Sequence, residues 1–294
     1  MMRPVLFLLI VCCILPVTAA GAARFAVATG ATPVLNTPDV TRVFGGADGS
    51  SLKVDRCGQV RELEYIALPG TVFKVLGAEH RGNLEILRVE TDEYEPPAGG
   101  KLYVDGRFVV IREDRPPQRY RVLPAAEEIL TRLRSSVGVP YVWGGNVREG
   151  IPELAERYYG GAVATEQSGM LTLAGLDCSG LLYQATDGWT PRNTSQLVSY
   201  GGAVPIAGKG ADEIAALLHP LDLIVWNGHV LIVLDADTII ESRLECGYPR
   251  NGGVMIWPLR ERLGEILRVR RPVNIWPAGG KVRDIFVVRR WLGQ

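Results

Sequence analysis

The sequence has no charge of one sign to spare: its 32 basic residues are matched by 32 acidic ones. A nucleic-acid backbone is gripped by an excess of Lys and Arg, so nucleic acid is not an expected partner. Internal repeats and low-complexity segments are absent. Long apolar runs are scarce, and beyond residue 15 no stretch is apolar enough to span a bilayer. Cysteine is sparse too. Of five in 294 residues, Cys12 and Cys13 fall in the N-terminal apolar run. Cys57, Cys178 and Cys246 remain, and an odd number leaves at least one thiol free in an exported chain. Sequence alone leaves open whether Cys57 and Cys246 pair. The hydrophobic content of 47% is that of a globular chain and excludes disorder.

The N-terminus is organised for export. Arg3 precedes an apolar run over 5–15, and small residues over 18–23 include Ala20-Gly21-Ala22, which fits a cleavage site. Residues 1–23 are therefore expected to be a signal peptide. The mature chain is then periplasmic or secreted, with no stable membrane association. Cys12 and Cys13 follow Ile10 and Val11 rather than small residues, so no lipid anchor is expected.

Residues 24–122 read as all-β. Strand-like runs at 24–27, 71–76, 84–89, 102–104 and 107–111 are punctuated by Gly, Pro and Asp. Asp105-Gly106 is a hairpin turn, and the spacing suggests a small barrel. His80 and the acidic stretch 90–95 are expected on solvated loops. A charged, proline-bearing linker at 112–117 leads to a second unit, 123–294. There helices are predicted over 125–135, from Cys178 onward, over 196–200 and over 211–218. Strands are predicted over 221–226, 229–234, 238–241, 253–257 and 266–270, with a further one through 284–288. Helices first and strands later give α+β, with helices on one face of an antiparallel sheet. The Gly-rich segment 146–174 reads as a flap or surface insertion.

The chemistry centres on Gly175-Leu176-Asp177-Cys178-Ser179-Gly180. Asp is a favoured N-cap, which puts Cys178 at the first helical position. The helix dipole there favours thiolate, the nucleophilic form. Gly180 keeps the first turn slim, and its free N–H groups suit an oxyanion. His229 opens an apolar strand, where a polar side chain needs a partner. Glu241 closes the next strand. A three-residue turn at Asp235-Ala236-Asp237 sets Leu231 opposite Glu241, so Glu241 lies diagonally from His229 on the same face. A two-residue turn would send it to the other face. Cys, His and carboxylate divide the work of nucleophile, base and orienting group.

In order, Pro140-Tyr141-Val142-Trp143-Gly144-Gly145, Asp177-Cys178-Ser179-Gly180-Leu181, Pro191-Arg192-Asn193-Thr194, Gly228-His229-Val230 and Ile240-Glu241-Ser242 resemble the NlpC-type cell-wall cysteine peptidases, which share a papain-like core. The resemblance runs over about 139–272. Residues 24–122 are similar to the bacterial SH3-like domains that often precede such hydrolases. The resemblance implies hydrolysis of peptidoglycan stem peptides or murein fragments, usually between γ-D-glutamate and the diamino acid. It implies Cys178 as nucleophile, His229 as base and Glu241 as third member. Tyr141 is implied to face the nucleophile, and Asp177 with Ser179 to hold a substrate amine. No metal or organic cofactor is implied. Leu221-Asp222-Leu223 stands where the family commonly has Gly-Asp-Leu, so a different turn is expected there. Two other functions fit the same pattern: a wall-binding protein with a degenerate peptidase domain, and an acyltransferase on the same core.

Overall fold

The computed structural model describes residues 24–160, 168–247, 251–279 and 282–293. The expected signal peptide, 1–23, lies outside the described residues. Seven strands build the first sheet: β1 (Arg24–Ala28), β2 (Thr32–Leu35), β3 (Leu63–Ala67), β4 (Val72–Arg81), β5 (Leu84–Glu90), β6 (Leu102–Asp105) and β7 (Val109–Arg112). Their spatial order is β3-β2-β6-β5-β4-β1-β7. The two ends do not pair, so the described residues form no closed barrel. His80 sits exposed inside β4 rather than on a loop.

All residues of β2 and β6 are buried, so neither strand shows the alternation of a half-solvated sheet. The reason is that both faces are covered. Ala26, Val34, Phe73, Leu87 and Val104 form a core on one face. On the other, Leu35, Leu63 and Ile86 pack against Ile151, Leu154, Tyr158, Leu171 and Leu173. The described part of 146–174 is thus the cover of the first sheet, not a surface flap. Tyr158 donates a short hydrogen bond to the buried carboxylate of Asp105.

The second sheet contains β8 (Gly202–Ala203), β9 (Leu223–Trp226), β10 (His229–Val233), β11 (Thr238–Leu244), β12 (Gly252–Pro258) and β13 (Ile285–Arg290), in the order β8-β13-β9-β10-β11-β12. A two-residue strand, Arg271–Pro272, pairs parallel with β13. Helices cover both faces rather than one. On one side, α1 (Ala126–Ser135) and α2 (Cys178–Ala185) pack through Ile129, Leu133, Leu181 and Leu182 onto Val225, Val230 and Ile232. On the other, α3 (Leu259–Leu267) packs through Leu259, Leu263 and Ile266 onto Leu231 and Ile239. The strand expected over 266–270 is absent. Leu259, Leu263 and Ile266 are spaced as one face of a helix, and that burial decides the outcome. The tail strand through 284–288 does form, beside β9.

The two sheets are stitched together. The Asn146 side chain accepts from the backbone N–H of Ile66 and donates to its carbonyl, replacing a missing strand partner. Cys57 and Cys246 form a disulfide across 189 residues. Glu93, expected to be solvated, is buried, accepting from Arg119 and the Tyr183 hydroxyl. No helix among the described residues is long and apolar enough to cross a membrane.

Candidate active site

Asp177 caps α2 by accepting from the Gly180 N–H at 2.6 Å, which leaves Cys178 as the first helical residue. The Ser242 hydroxyl donates to the Leu176 carbonyl, tying the entry to the helix to the strand that carries Glu241. Gly180 is required for a reason other than substrate access. A Cβ there would lie 1.9 Å from the Gly145 carbonyl oxygen, so the slim turn admits the protein's own backbone.

Cys178 is buried and is the free thiol among the described cysteines. It lies close enough to His229 to help raise the imidazole's pKa. The imidazole Nε2 lies 2.5 Å from Glu241 Oε2, which leaves Nδ1 for the sulfur. The register delivers this arrangement. Ile232 pairs with Ile240 and Val233 with Ile239, so Leu231 is opposite Glu241 and His229 is diagonal to it. The turn has the expected odd length: Leu234 N–H donates to the Thr238 carbonyl, and Asp235 Oδ1 accepts from the Thr238 N–H and hydroxyl. Gly228 N–H donates to the Thr194 hydroxyl, which fixes the turn before His229. The Trp226 ring stands 5.2 Å from the imidazole.

Glu241 is fully buried, and both its oxygens are held by Arg262: Nε to Oε1 at 2.7 Å and Nη2 to Oε2 at 3.1 Å. Burial alone would raise its pKa. Hydrogen bonds from His229 and Arg262, with their charges, outweigh burial and lower it to about 2. Burial likewise pushes the His229 imidazolium down, but its interactions with Cys178 and Glu241 prevail and raise its pKa to about 9. The imidazole therefore holds its proton more tightly than a free histidine.

Tyr141 is buried, and burial together with the charges of Asp177 and Cys178 raises its pKa, so its phenol remains a donor. Asp177 and Ser179 are brought together by Arg192. Its Nη1 donates to Asp177 Oδ1 at 3.0 Å and to Ser179 Oγ at 2.8 Å. Nη2 donates to Asp177 Oδ2 at 2.6 Å and to the Gly145 carbonyl, and Nε donates to Asn146 Oδ1. All five guanidinium N–H groups are used. The expected amine-holding pair is thus already partnered by a cation, and Asp177 Oδ2 keeps one acceptor position beyond Arg192.

Leu221 is buried and holds φ +70°, the backbone a glycine adopts freely. Leu221 therefore carries local backbone strain of order 1–3 kcal/mol. Residues that precede or follow strands of the first sheet contact the segments bearing Tyr141 and Asn193. The Gln59 side chain accepts from the Trp143 N–H, and Arg61 lies over the Trp143 ring at 4.4 Å. Asn193 donates to the Glu95 carbonyl. Sequence reasoning missed Arg262, which sits on α3 in a stretch with no recognised motif. It quoted Arg192 without a role. Among the described residues no group of three or more His, Cys, Asp or Glu is arranged to hold a metal ion.

No protein-family model matches the chain, and no curated protein does. Several solved structures are similar. One is an NlpC/P60 family protein from Bacillus cereus ATCC 10987, 18% identical with a TM-score of 0.33, covering 92% of this chain. The chain spans 64% of that protein's length. A second is RipD from Mycobacterium tuberculosis, described as a non-catalytic NlpC/p60 domain protein adapted to peptidoglycan binding. It is 21% identical with a TM-score of 0.29, over 45% of this chain and 92% of its own. A third is NlpC2 from Trichomonas vaginalis, 12% identical with a TM-score of 0.35, over 94% of this chain and 100% of its own. Likenesses this distant assign the chain neither an activity nor a substrate.

Proposed function

We propose that the chain is an exported cysteine endopeptidase that hydrolyses peptidoglycan stem peptides, at the bond between γ-D-glutamate and the diamino acid. The observation that carries the chemistry is the buried relay of Cys178, His229 and Glu241, with Nε2 of the imidazole 2.5 Å from the carboxylate. The Cys178 thiolate attacks the scissile carbonyl, and N–H groups at the start of α2 receive the oxyanion. Protonated His229 gives its proton to the leaving amine, and a thioester remains. His229 then takes a proton from water as it attacks the thioester; collapse expels the Cys178 thiolate, releases the carboxylic acid and restores the thiolate–imidazolium pair. Glu241 orients the ring throughout. Residues 123–294 are the papain-like NlpC-type peptidase unit in this reading, and 24–122 an SH3-like unit.

The contacts of the first unit with the segments bearing Tyr141 and Asn193, through Gln59, Arg61 and Glu95, favour small fragments over intact wall. Tyr141, Asp177 and Ser179 face such a fragment, and the spare acceptor position on Asp177 Oδ2 suits its free amine. The test is to incubate the chain and its Cys178→Ala variant with L-Ala-γ-D-Glu-diaminopimelate and follow products by mass. The diamino acid is expected from the parent alone. No release from this tripeptide or from purified sacculi by either protein would overturn the peptidase and leave a binding protein. Product formed only with an added amine acceptor would make it an acyltransferase.

A further inference from the structure

The first sheet carries a cavity of about 680 Å³ that Cys178, His229 and Glu241 do not line. Its size falls in the range of small-ligand sites, about 300–1,000 Å³. Phe25, Val72 and Leu102 give it an apolar side. Its charged lining is only partly paired. Lys74 lies 4.0 Å from Glu90, and Arg115 is bonded to Asp92 at 3.0 Å. Arg88 and Lys101 also line the cavity, and among the described residues no carboxylate lies within ion-pair distance of either. Arg88 Nε is buried with no hydrogen-bond partner, and Nη2 reaches the Leu76 carbonyl only at 3.5 Å. The exposed Nη end of the guanidinium has only that long bond, and a ligand carboxylate would give it a charge-assisted one.

The cavity lining is also linked by hydrogen bonds to the turn before His229. Glu95 lines the cavity, and the Glu95 carbonyl accepts from Asn193. The next residue, Thr194, accepts from Gly228 beside His229.

We infer that the cavity is a second binding site, taking the carboxylate of a short acidic peptide on Arg88 and Lys101 and its apolar portion against Phe25, Val72 and Leu102. The identity of the peptide rests on the proposed function; the site rests on the cavity and its unmet cations.

The test is calorimetric titration of the Cys178→Ala chain with L-Ala-γ-D-Glu-diaminopimelate, the same tripeptide with its carboxylates amidated, and N-acetylmuramic acid. Adding Arg88→Gln and Lys101→Gln is expected to weaken binding of the acidic tripeptide about 10-fold, the worth of one charge-assisted hydrogen bond. The amidated tripeptide should bind the chains with and without these changes alike. Lys101→Gln alone, on an exposed residue, should show a smaller loss in the same direction and covers the case in which the Arg88 variant fails to melt cooperatively. Equal binding of the acidic tripeptide by parent and variants, or no binding, overturns the site. Arg88-dependent binding of N-acetylmuramic acid without the tripeptide overturns the peptide as occupant. Turnover by the parent with Arg88-independent binding sinks this inference alone, whereas Arg88-dependent binding without turnover sinks the peptidase alone.

Discussion

On one side of Cys178, the buried carboxylate of Glu241 is gripped by Arg262; on the other, Asp177 is gripped by Arg192. Both pairs are close and shielded, yet they are wired differently. The Arg262 guanidinium shares itself between Glu241 and Glu265, and Glu241 has a third neighbour that titrates, His229. Arg192 spends every N–H on Asp177, Ser179, Asn146 and Gly145. One pair thus sets the state of an imidazole. The other fixes backbone: it locks the cap of α2 to the segment that meets the first sheet. Pairing by itself does not mark a catalytic group; the neighbour that can exchange a proton does.

The largest break in this contrast is Glu241→Gln. The amide cannot stabilise an imidazolium, and it leaves Arg262 with one buried partner fewer. We expect kcat/KM on the tripeptide to fall about 10³–10⁴-fold, as when a triad acid loses its charge. The alkaline limb should also move below about 9, because the charge that holds His229 protonated is gone. An unmoved limb would separate Glu241 from the imidazole's titration. On the opposite side, Arg192→Met should act on stability first. It leaves Asp177 buried beside Ser179 with no cation, at a cost of about 3–5 kcal/mol in denaturant unfolding. Molecules still folded should keep the parent's pH limbs. A shifted limb would place Arg192 in the proton chemistry after all.

Arg262 allows a finer cut. Arg262→Met is expected to lower kcat about 10- to 100-fold by letting the Glu241 carboxylate wander, since small misplacements near a reacting pair are costly. Arg262→Lys keeps the charge but not the fork, so it should recover only part of the loss. Full recovery by Lys would reduce the role of Arg262 to charge alone.

How much of this was legible in the sequence follows from how local each signal is. The Asp177 cap and the helical start at Cys178 are set within four residues, and both were readable. The diagonal placement of Glu241 follows from strand parity and a turn of odd length, again local. The partners of the two carboxylates are not local: Arg262 is 21 residues from Glu241, on a different kind of element. Glu93 looked like a solvated acid because its partners, Arg119 and Tyr183, belong to segments 26 and 90 residues away. The cover formed by the described residues 151–160 and 168–173 was hidden for the same reason: its apolar residues are scattered among polar ones, and only the first sheet supplies the other half of their core.

The smallest and most diagnostic effect is the pH dependence of stability. Glu241 has a folded pKa of about 2 against an ordinary 4.5, so its contribution is complete above about 4.5 and is lost as pH falls through about 2. His229 runs the other way. Its folded pKa of about 9 exceeds the ordinary 6.5, so its contribution is complete below about 6.5 and is lost as pH rises through about 9. The relay should therefore stabilise the fold most between about pH 4.5 and 6.5. Melting temperatures of the parent, followed from about pH 2 to 10, should show that plateau with a fall on each side. In Glu241→Gln the acid-side fall should shrink, because the carboxylate that drives it is missing. The alkaline fall should begin at lower pH, because His229 loses the anion that keeps it charged. Lys101→Gln, exposed and distant from the relay, is the control and should leave both edges where they are. If the Gln variant retains both edges too, the imidazole and the carboxylate titrate independently, and the distinction between the two arginine-held pairs disappears.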